Sequence, residues 1–336
     1  MNRLRQSLFR RFFKDDLTNL VAPEYPILLD YPVNASSRYG YGKRYHPQLL
    51  ALLDAGRQEY GKRLLGFCAL RQALGRIPVK PTEAQEPYWG QDWFSQLDAV
   101  ALYGMLCEFR PRRLLEVGSG HSTKFARRAI RDHSISTRIT SIDPAPRAEI
   151  DQLCDSIIRL PLEQVDLHVF DELDAGDFLF IDTSHRAFGN SDVTVAFLDV
   201  LPRLRPGVIV HFHDIFWPSD YPPRWANRYY SEQYLLAASL LADAGRDIQI
   251  LMPVAFVARD AELAAICKPL LDVPGVETAD LSTWPFGVEG GSIWLRRDSN
   301  STPYPLRAER LKIATNPQTS AVHPSDERPS SVPILQ

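Results

Sequence analysis

Three features are scarce in this sequence, and each shortage excludes a class of protein. The net charge of the 336-residue chain is only -3, so the chain has no overall positive potential that would attract nucleic acid. No apolar run reaches the roughly 18 residues that a membrane-spanning helix needs. Cysteines are few and form no Cys-x-x-Cys pair, so we expect buried free thiols in a reducing cytoplasm. The cysteines are Cys68, Cys107, Cys154 and Cys267.

The sequence also lacks the third glycine of the Gly-x-Gly-x-x-Gly fingerprint that dinucleotide-binding proteins share. Residues 114–122 run from an apolar strand into a turn that contains Gly118 and Gly120, but the third position is Thr123. A helix is predicted directly afterwards, over 122–131, and its positive amino end points at the turn. Such a turn indicates a ligand site, although the strand, turn and helix of another α/β protein would look the same.

Two acidic residues stand near this turn in the predicted fold. Glu116 ends the apolar strand, where a buried charge needs a hydrogen-bonded partner such as a ligand amine or hydroxyl. Asp143 ends a second short strand, over 137–142. It lies about 25 residues after Gly118, where a βαβ unit places an acid for ribose hydroxyls. The pair therefore favours a nucleotide-like ligand.

The sequence Glu116-x-Gly118-x-Gly120, followed by Asp143, resembles motifs I and II of the class I S-adenosylmethionine (SAM)-dependent methyltransferases. The resemblance implies a Rossmann-like, mostly parallel seven-stranded α/β sheet, with helices on both faces and an antiparallel last strand. It also implies that the glycines face the methionine part of SAM, that Asp143 binds the ribose, and that Glu116 supports the glycine loop or the methionine amine. The cofactor-binding residues that follow from it are Glu116, Gly118, Ser119, Gly120, Ser122, Asp143 and Asp182.

The rest of the chain shows the alternation of apolar strands and helices expected for such a sheet. Strands are predicted over 113–117, 139–142, 156–160, 178–181, 208–211, 248–251 and, antiparallel, 292–295. Helices are predicted over 46–74, 122–131, 148–153, 163–173, 192–204 and 231–244, with one more from a cap at Asp92 to Phe109. We divide the chain into an N-terminal helical extension (1–90), a methyltransferase domain (91–298) and a polar, flexible tail (299–336).

Polar residues follow the fourth and fifth predicted strands, which are expected to be neighbours in the sheet. Asp182 and His185 follow one strand, and His211, His213 and Asp214 lie at the end of the other. Ligands bind at the carboxyl ends of such strands, so these side chains are expected to converge. Imidazole nitrogen and carboxylate oxygen are suitable ligands for a divalent metal. For His211 itself, the preferred interpretation is a histidine buried in the core.

These strand ends resemble those of the metal-dependent catechol and caffeoyl-CoA O-methyltransferases, and related sugar O-methyltransferases use metal on the same fold. The resemblance implies a divalent metal such as Mg or Mn, bound by Asp182, His213 and Asp214. His185 stands where that family has a lysine, and it is expected to act with Asp182 in catalysis, as the general base. His213 and Asp214 replace the Asp-Asn pair of the family, so the set of metal ligands differs.

The leading hypothesis is a SAM-dependent methyltransferase that acts on a hydroxyl of a small molecule or glycan. Two alternatives stay open: a metal-dependent oxygenase or hydrolase that uses the histidines and aspartates, and a catalytically silent SAM-binding scaffold. Residues 217–225 are rich in proline and aromatic side chains. They are interpreted either as a lid over the acceptor site or as a packed structural loop.

The first 14 residues combine basic and apolar side chains at the spacing of an amphipathic helix. One interpretation is peripheral contact with an anionic membrane. The other is a helix that packs on the body of the protein or on a second subunit of a homo-oligomer. The expected location is cytoplasmic, with membrane association through residues 1–14, and nucleic acid is not expected as a partner.

Overall fold

The computed structural model describes residues 32–243, 245, 247–271 and 289–298. The predicted basic helix at residues 1–14 and the predicted tail at 299–336 lie outside the described residues, so both stay predictions. Within the described ranges, no helix is both long and apolar enough to cross a membrane.

A seven-stranded sheet forms the centre of the fold. Its strands are β1 (Arg113–Val117), β2 (Arg138–Ile142), β3 (Ser156–Ile158), β4 (Phe178–Ile181), β5 (Ile209–His213), β6 (Ile248–Pro253) and β7 (Ser292–Arg297). Their order is β3-β2-β1-β4-β5-β7-β6, and β7 runs antiparallel to both of its neighbours while the other pairs are parallel. The predicted fold class is confirmed. Because the strand order reverses between β1 and β4, a crevice is expected at their carboxyl ends.

Continuous apolar runs explain why the central strands are buried on both faces. All residues of β4 are buried, and so are all residues of β5. Parallel strands that are covered on both sides are typically apolar throughout, without polar alternation.

His211 is the polar residue in the middle of β5, and the structure confirms it as a core histidine. Its ring stacks on Phe180 at 3.9 Å between centroids and contacts Trp294 at 4.6 Å. Burial, with the neighbouring His213, lowers the pKa of His211 well below its usual value, so the ring is neutral. Neither ring nitrogen has a hydrogen-bond partner among the described residues.

Helices pack around the sheet. They are α1 (Pro47–Asp54), α2 (Arg57–Phe67), α3 (Arg71–Leu74), α4 (Gln96–Phe109), α5 (His121–Asp132), α6 (Asp192–Val195), α7 (Glu232–Asp243), α8 (Val254–Arg259) and α9 (Ala261–Leu271). The predicted helix over 192–204 is α6, continued as π-helix to Val200 and as 3-10 helix to Arg203. The predicted helix over 46–74 is present as α1 to α3 with short interruptions.

The predicted cap at Asp92 is wrong, because α4 begins later. The side-chain oxygen of Gln91 accepts the backbone N–H groups of Trp93 and Phe94, which holds these residues in a turn. Ser95 is the cap instead, and its hydroxyl accepts the N–H of Asp98 at 3.3 Å. The turn that replaces the first part of the predicted helix carries Trp93 and Phe94 to the functional edge.

The predicted α-helices over 148–153 and 163–173 are also wrong. Short 3-10 segments stand there: Asp151–Leu153, Leu162–Gln164 and Leu167–Glu172. Val165 is extended, and the side chain of Asp166 accepts the N–H of His168 at 3.0 Å, which starts a new turn. Local side-chain hydrogen bonds of this kind compete with the α-helix.

The helices of the predicted N-terminal extension pack against later parts of the chain. Helix α2 contacts α9 and β6, and α1 contacts α7. The division at residue 90 therefore separates segments that touch, and it stays a prediction.

Asp177, just before β4, joins β1 to β4 at the end of the sheet opposite the crevice. Its buried carboxylate accepts the N–H groups of Arg112 and Arg113, both at 3.0 Å, and that of Asp174 at 3.1 Å. We predict that Asp177→Ala lowers the free energy of unfolding by about 3 kcal/mol, because three backbone donors lose their acceptor. Urea denaturation measures the loss. Asp174→Ala, at the surface, is expected to change stability little, and equal losses in both variants would contradict the prediction.

Candidate functional site

A cavity of about 440 Å³ opens at the carboxyl ends of β1, β2 and β4. Six of the predicted site residues line it, which are Gly118, Ser119, Gly120, Ser122, Asp143 and Asp182. Glu116, His185, His213 and Asp214 do not line it. The sheet topology thus brings the glycine turn and the acids after β2 and β4 to one place.

The two glycines of the turn have different roles. Gly118 has a φ of +81°, and a Cβ there would lie 1.7 Å from the carbonyl oxygen of Asp182. Its lack of a side chain is therefore required by the neighbouring strand end and not by a ligand. Its two chain neighbours aside, a Cβ on Gly120 would meet no atom of the described residues within 4 Å, so that position faces open space in the cavity.

Glu116 is buried beneath the turn, and its partners belong to the protein. The hydroxyls of Ser122 and Thr123 donate to its two carboxyl oxygens, both at 2.5 Å. Burial raises the pKa of Glu116 to about 7, although the two hydroxyls favour the charged form. Glu116 thus has hydrogen-bond partners within the protein, and these bonds join the end of β1 to α5 beneath the glycine turn.

Asp143 fixes the turn from the side of β2. Its two oxygens accept the backbone N–H groups of Ser119 and Ala145, both at 2.8 Å. A carboxylate has about four acceptor positions, so Asp143 can also accept hydrogen bonds from ligand hydroxyls in the cavity.

Several cavity residues were not predicted from the sequence, among them Trp93, Phe94, His121, Arg147, Leu162, Glu163 and Thr183. Nδ1 of His121 and Oγ1 of Thr183 are buried without a hydrogen-bond partner among the described residues. Burial, with Lys124 nearby, lowers the pKa of His121 to about 4, so its ring is neutral. Leu162 and Glu163 follow β3 as Asp143 follows β2, and the strand-end rule applied to β3 would have indicated them.

Behind the cavity wall lies a carboxylate–histidine cluster. Its members are Asp98, Asp182, His185, His213, Asp214 and Glu232. They come from α4, from the ends of β4 and β5, and from the start of α7. The predicted convergence of Asp182, His185, His213 and Asp214 is present, whereas Asp98 and Glu232 were not predicted as site residues.

His185 is enclosed by carboxylates on both ring nitrogens. Nδ1 lies 2.7 Å from Glu232, and Nε2 lies 3.2 Å from Asp214 and 3.3 Å from Asp182. Burial alone would lower the pKa of His185, but the carboxylates of Asp214, Asp182 and Glu232 outweigh it and raise the pKa well above its usual value. A ring that is already protonated and only 4% exposed does not suit the predicted role of general base.

His213 is the second imidazolium of the cluster. Its Nδ1 lies 3.5 Å from both Asp182 and Asp214, and Nε2 lies 3.6 Å from Asp98. Burial opposes its charge, but Asp182 and Asp214 raise the pKa of His213 well above its usual value. For Asp182 the balance is reversed: burial would raise its pKa, but His213 and His185 hold it below its usual range.

This arrangement does not fit the predicted metal site of Asp182, His213 and Asp214. A histidine must be neutral to bind a metal, but here the ring nitrogens of both imidazoliums point at the carboxylates. Among the described residues, no three His, Cys, Asp or Glu side chains are placed to hold one ion.

The first part of the loop at 217–225 is packed against the protein, as one of the two sequence interpretations expected. Trp217 and Tyr221 are buried, and the carboxylate of Asp220 accepts the N–H of Tyr39 at 2.9 Å. The indole N–H of Trp217 donates to the carbonyl of Gln233 at 2.7 Å. The exposed part of the loop lies further on, from Pro223.

The centre of this chain is similar to a known protein family. Residues 115–215 match the model of a family described as a methyltransferase domain. These residues run from β1 through β5 and carry the glycine turn, Asp143 and the histidine-containing strand ends. A search of curated proteins found no significant match.

Solved structures with a similar fold include three methyltransferases. PaMTH1 of Podospora anserina, with SAH (S-adenosylhomocysteine) bound, is 16% identical over 61% of this chain and 79% of its own, with a TM-score of 0.36. An O-methyltransferase from Bacillus cereus in complex with SAH is 17% identical over 56% and 82%, with a TM-score of 0.32. MycE from the mycinamycin biosynthetic pathway, in complex with Mg and SAH, is 15% identical over 66% and 55%, with a TM-score of 0.36. Likenesses of this size carry no argument on substrate or metal.

Substitution of the two glycines should separate folding from ligand binding. Gly118→Ala is expected to lower the free energy of unfolding by well over 1 kcal/mol, because the new Cβ meets a backbone oxygen at a positive φ. Gly120→Ala is expected to leave stability almost unchanged, since its Cβ enters open space. Thermal denaturation of both variants measures this, and equal melting temperatures would contradict the assignment.

The buried carboxyl of Glu116 should make stability depend on pH. Its folded-state pKa of about 7 exceeds the ordinary 4.5, so the folded protein keeps a proton that the unfolded chain releases between these values. The resulting stabilisation is full below the lower value and is lost as pH rises through the higher one. Between about pH 5 and pH 8, wild type should lose on the order of 3 kcal/mol more than Glu116→Gln.

Urea denaturation at several pH values measures this difference. Glu172→Gln is the matched control because the side chain of Glu172 is 65% exposed, and its profile should parallel that of wild type. Parallel profiles for wild type and Glu116→Gln would show that Glu116 titrates normally.

Proposed function

We propose that this chain is a class I SAM-dependent methyltransferase and that it transfers the methyl group of SAM to a hydroxyl oxygen of a small molecule or glycan, a proposal supported by the methyltransferase-domain match over residues 115–215 and by the sheet topology. One observation carries the proposal. The open position at Gly120, the carboxylate of Asp143 and the carboxylate of Asp182 line the same cavity at the ends of β1, β2 and β4. Ligands bind at this place in open α/β sheets.

The cavity residues fit the chemistry of SAM. Asp143 has free acceptor positions for the ribose hydroxyls, and Leu162 with Glu163 offers an apolar surface and a carboxylate for an adenine ring and its amine. The unpartnered Nδ1 of His121 and Oγ1 of Thr183 are further polar groups that a ligand can satisfy. The acids at the cavity wall also match the positive charge of a sulfonium.

Asp182 is the residue that we assign to the acceptor hydroxyl. Its side chain is 30% exposed and lines the cavity, and His185 and His213 keep it ionised. It accepts a hydrogen bond from the hydroxyl and so directs an oxygen lone pair at the methyl group. When bound, SAM supplies the methyl group already activated on sulfur. The hydroxyl proton becomes strongly acidic as the new bond forms, so the Asp182 carboxylate can take it and release it to water.

His185 has a positioning role in this mechanism instead of the predicted role of base. Its Nε2 lies 3.3 Å from Asp182, and its Nδ1 is fixed by Glu232. The positively charged ring holds the Asp182 side chain in one orientation and lowers its pKa. A metal-dependent oxygenase or hydrolase would need the nitrogens of His185 and His213 as ligands, and the metal-removal test below decides between it and the proposed function.

A variant at Asp182 distinguishes two hypotheses, an active methyltransferase and a catalytically silent SAM-binding scaffold. We predict that Asp182→Asn lowers the turnover number by about 100-fold, because the amide cannot take the proton. SAH affinity should change far less. The assay incubates protein with a metabolite extract and labelled SAM and detects the methylated product by mass spectrometry. The exposed Asp199→Asn serves as control, and unchanged turnover in Asp182→Asn would refute the assignment.

Metal removal gives an independent test. Because the ring nitrogens of His185 and His213 already face the carboxylates, we predict that EDTA leaves methyl transfer unchanged and that added Mg or Mn does not raise it. The same labelled-donor assay, run with dialysed protein, measures both effects. Loss of activity in EDTA that Mg or Mn restores would contradict this description of the cluster.

The remaining expectations stay predictions. They are the cytoplasmic location, the peripheral membrane contact of residues 1–14, and assembly into a homo-oligomer. The identity of the acceptor beyond a hydroxyl compound is likewise a proposal.

A further inference from the structure

Two arginines lie over one aromatic ring near the cavity. The guanidiniums of Arg186 and Arg228 are 5.0 and 5.6 Å from the centre of the Tyr230 ring, and Arg228 also lies 4.1 Å from the centre of Trp225. In the described part of the chain, neither forms an ion pair with a carboxylate. Two cations at one ring repel each other, and the ring compensates them only in part. The pair therefore leaves positive charge that an anion can neutralise.

Hydrogen bonds hold the side chain of Arg186 in place, whereas the guanidinium of Arg228 rests on the rings of Trp225 and Tyr230. Nε of Arg186 donates to the carbonyl of Arg228 at 2.9 Å, and Nη1 donates to the carbonyl of Ser184 at 3.4 Å. The hydroxyl of Ser191 donates to the carbonyl of Arg186 at 2.7 Å. Pre-ordered side chains lose little conformational entropy on binding, which is how an efficient ligand site is built.

The pair stands at the rim of the cavity, on the side of β4. Ser184 lines the cavity and is bonded to Arg186. The Tyr230 ring lies 4.9 Å from the ring of His185, which in turn contacts Asp182. The arginine pair is therefore connected to Asp182 through the rings of Tyr230 and His185. The cavity lining holds four acidic side chains, Asp143, Glu163, Asp182 and Asp192, against one arginine, Arg147.

We propose that Arg186 and Arg228 bind an anionic group, a carboxylate or a phosphate, of the molecule that is methylated. Guanidiniums bind both groups through paired N–H donors. Trp225 and Tyr230 add flat apolar faces on which a sugar or aromatic ring of the same molecule can pack. The proposal deepens the methyltransferase function and rests on it, and it narrows the acceptor to a hydroxyl compound that carries a negative charge.

Calorimetric titration tests the site in the presence of SAH. The probes are 3,4-dihydroxybenzoate for a carboxylate, inorganic phosphate for a phosphate, and catechol as the neutral counterpart of the first. We expect saturable binding of at least one anion and clearly weaker binding of catechol. Arg186→Gln and Arg228→Gln should each weaken anion binding about tenfold or more, since each removes a charged donor. Arg112→Gln, 68% exposed at the opposite end of β1, should bind like wild type.

Two outcomes would overturn the proposal. One is that neither anion binds more tightly than catechol, and the other is that Arg186→Gln and Arg228→Gln bind anions as wild type does. The titration of SAH into the same variants separates this proposal from the methyltransferase function. If SAH fails to bind wild type while anions still depend on the arginines, the function fails and the anion site stands. If SAH binds wild type normally and the anions do not bind, the anion site is refuted and the methyltransferase function stands.

Discussion

Six ionisable side chains contact one another behind the cavity, and the geometry of the functional edge depends on these contacts. The carboxylate–histidine cluster joins α4, the ends of β4 and β5, and the start of α7. Removing one partner of a buried charge pair typically costs about 3–5 kcal/mol, because the other charge is left uncompensated. Asp98 also accepts the N–H of Gly291 at 2.8 Å, so the residue before β7 is tied to the same cluster. The strand ends therefore cannot shift independently.

Because of these contacts, the residue that lines the cavity and the residues that hold it in place are different members of the cluster. Asp182 is the member of the cluster that lines the cavity, and the two imidazoliums behind it keep it charged and oriented. Glu116 and Asp143 act in a comparable way on the glycine turn, since their carboxylates hold α5 and the backbone of Ser119. Ionisable side chains behind or beside the cavity thus hold in place the groups that face the ligand. Arg186 and Arg228, at the Tyr230 ring, place two further positive charges next to a cavity whose charged lining residues are mostly acidic.

Much of the sheet could be predicted from the sequence because its strands are short, apolar and separated by turns. The bounds of β1 and β4 agree with the prediction, and so does the antiparallel orientation of β7. Two features that the sequence does not reveal have one physical origin, which is contact between residues distant in the sequence. The need for a glycine at 118 comes from the carbonyl of Asp182, and the raised pKa of His185 comes from Asp214, Asp182 and Glu232. The predicted helix over 163–173 is interrupted for local reasons, at the extended Val165 and the Asp166 cap.

The central claim is that the cavity at the ends of β1, β2 and β4 binds the methyl donor through Asp143. Calorimetric titration of SAH into wild type and Asp143→Asn tests it most directly, with circular dichroism to show that both are folded. The account predicts saturable binding to wild type and at least about tenfold weaker binding to the variant, because the amide replaces one charged acceptor. Absence of SAH binding to wild type, or equal affinity in both proteins, would contradict it.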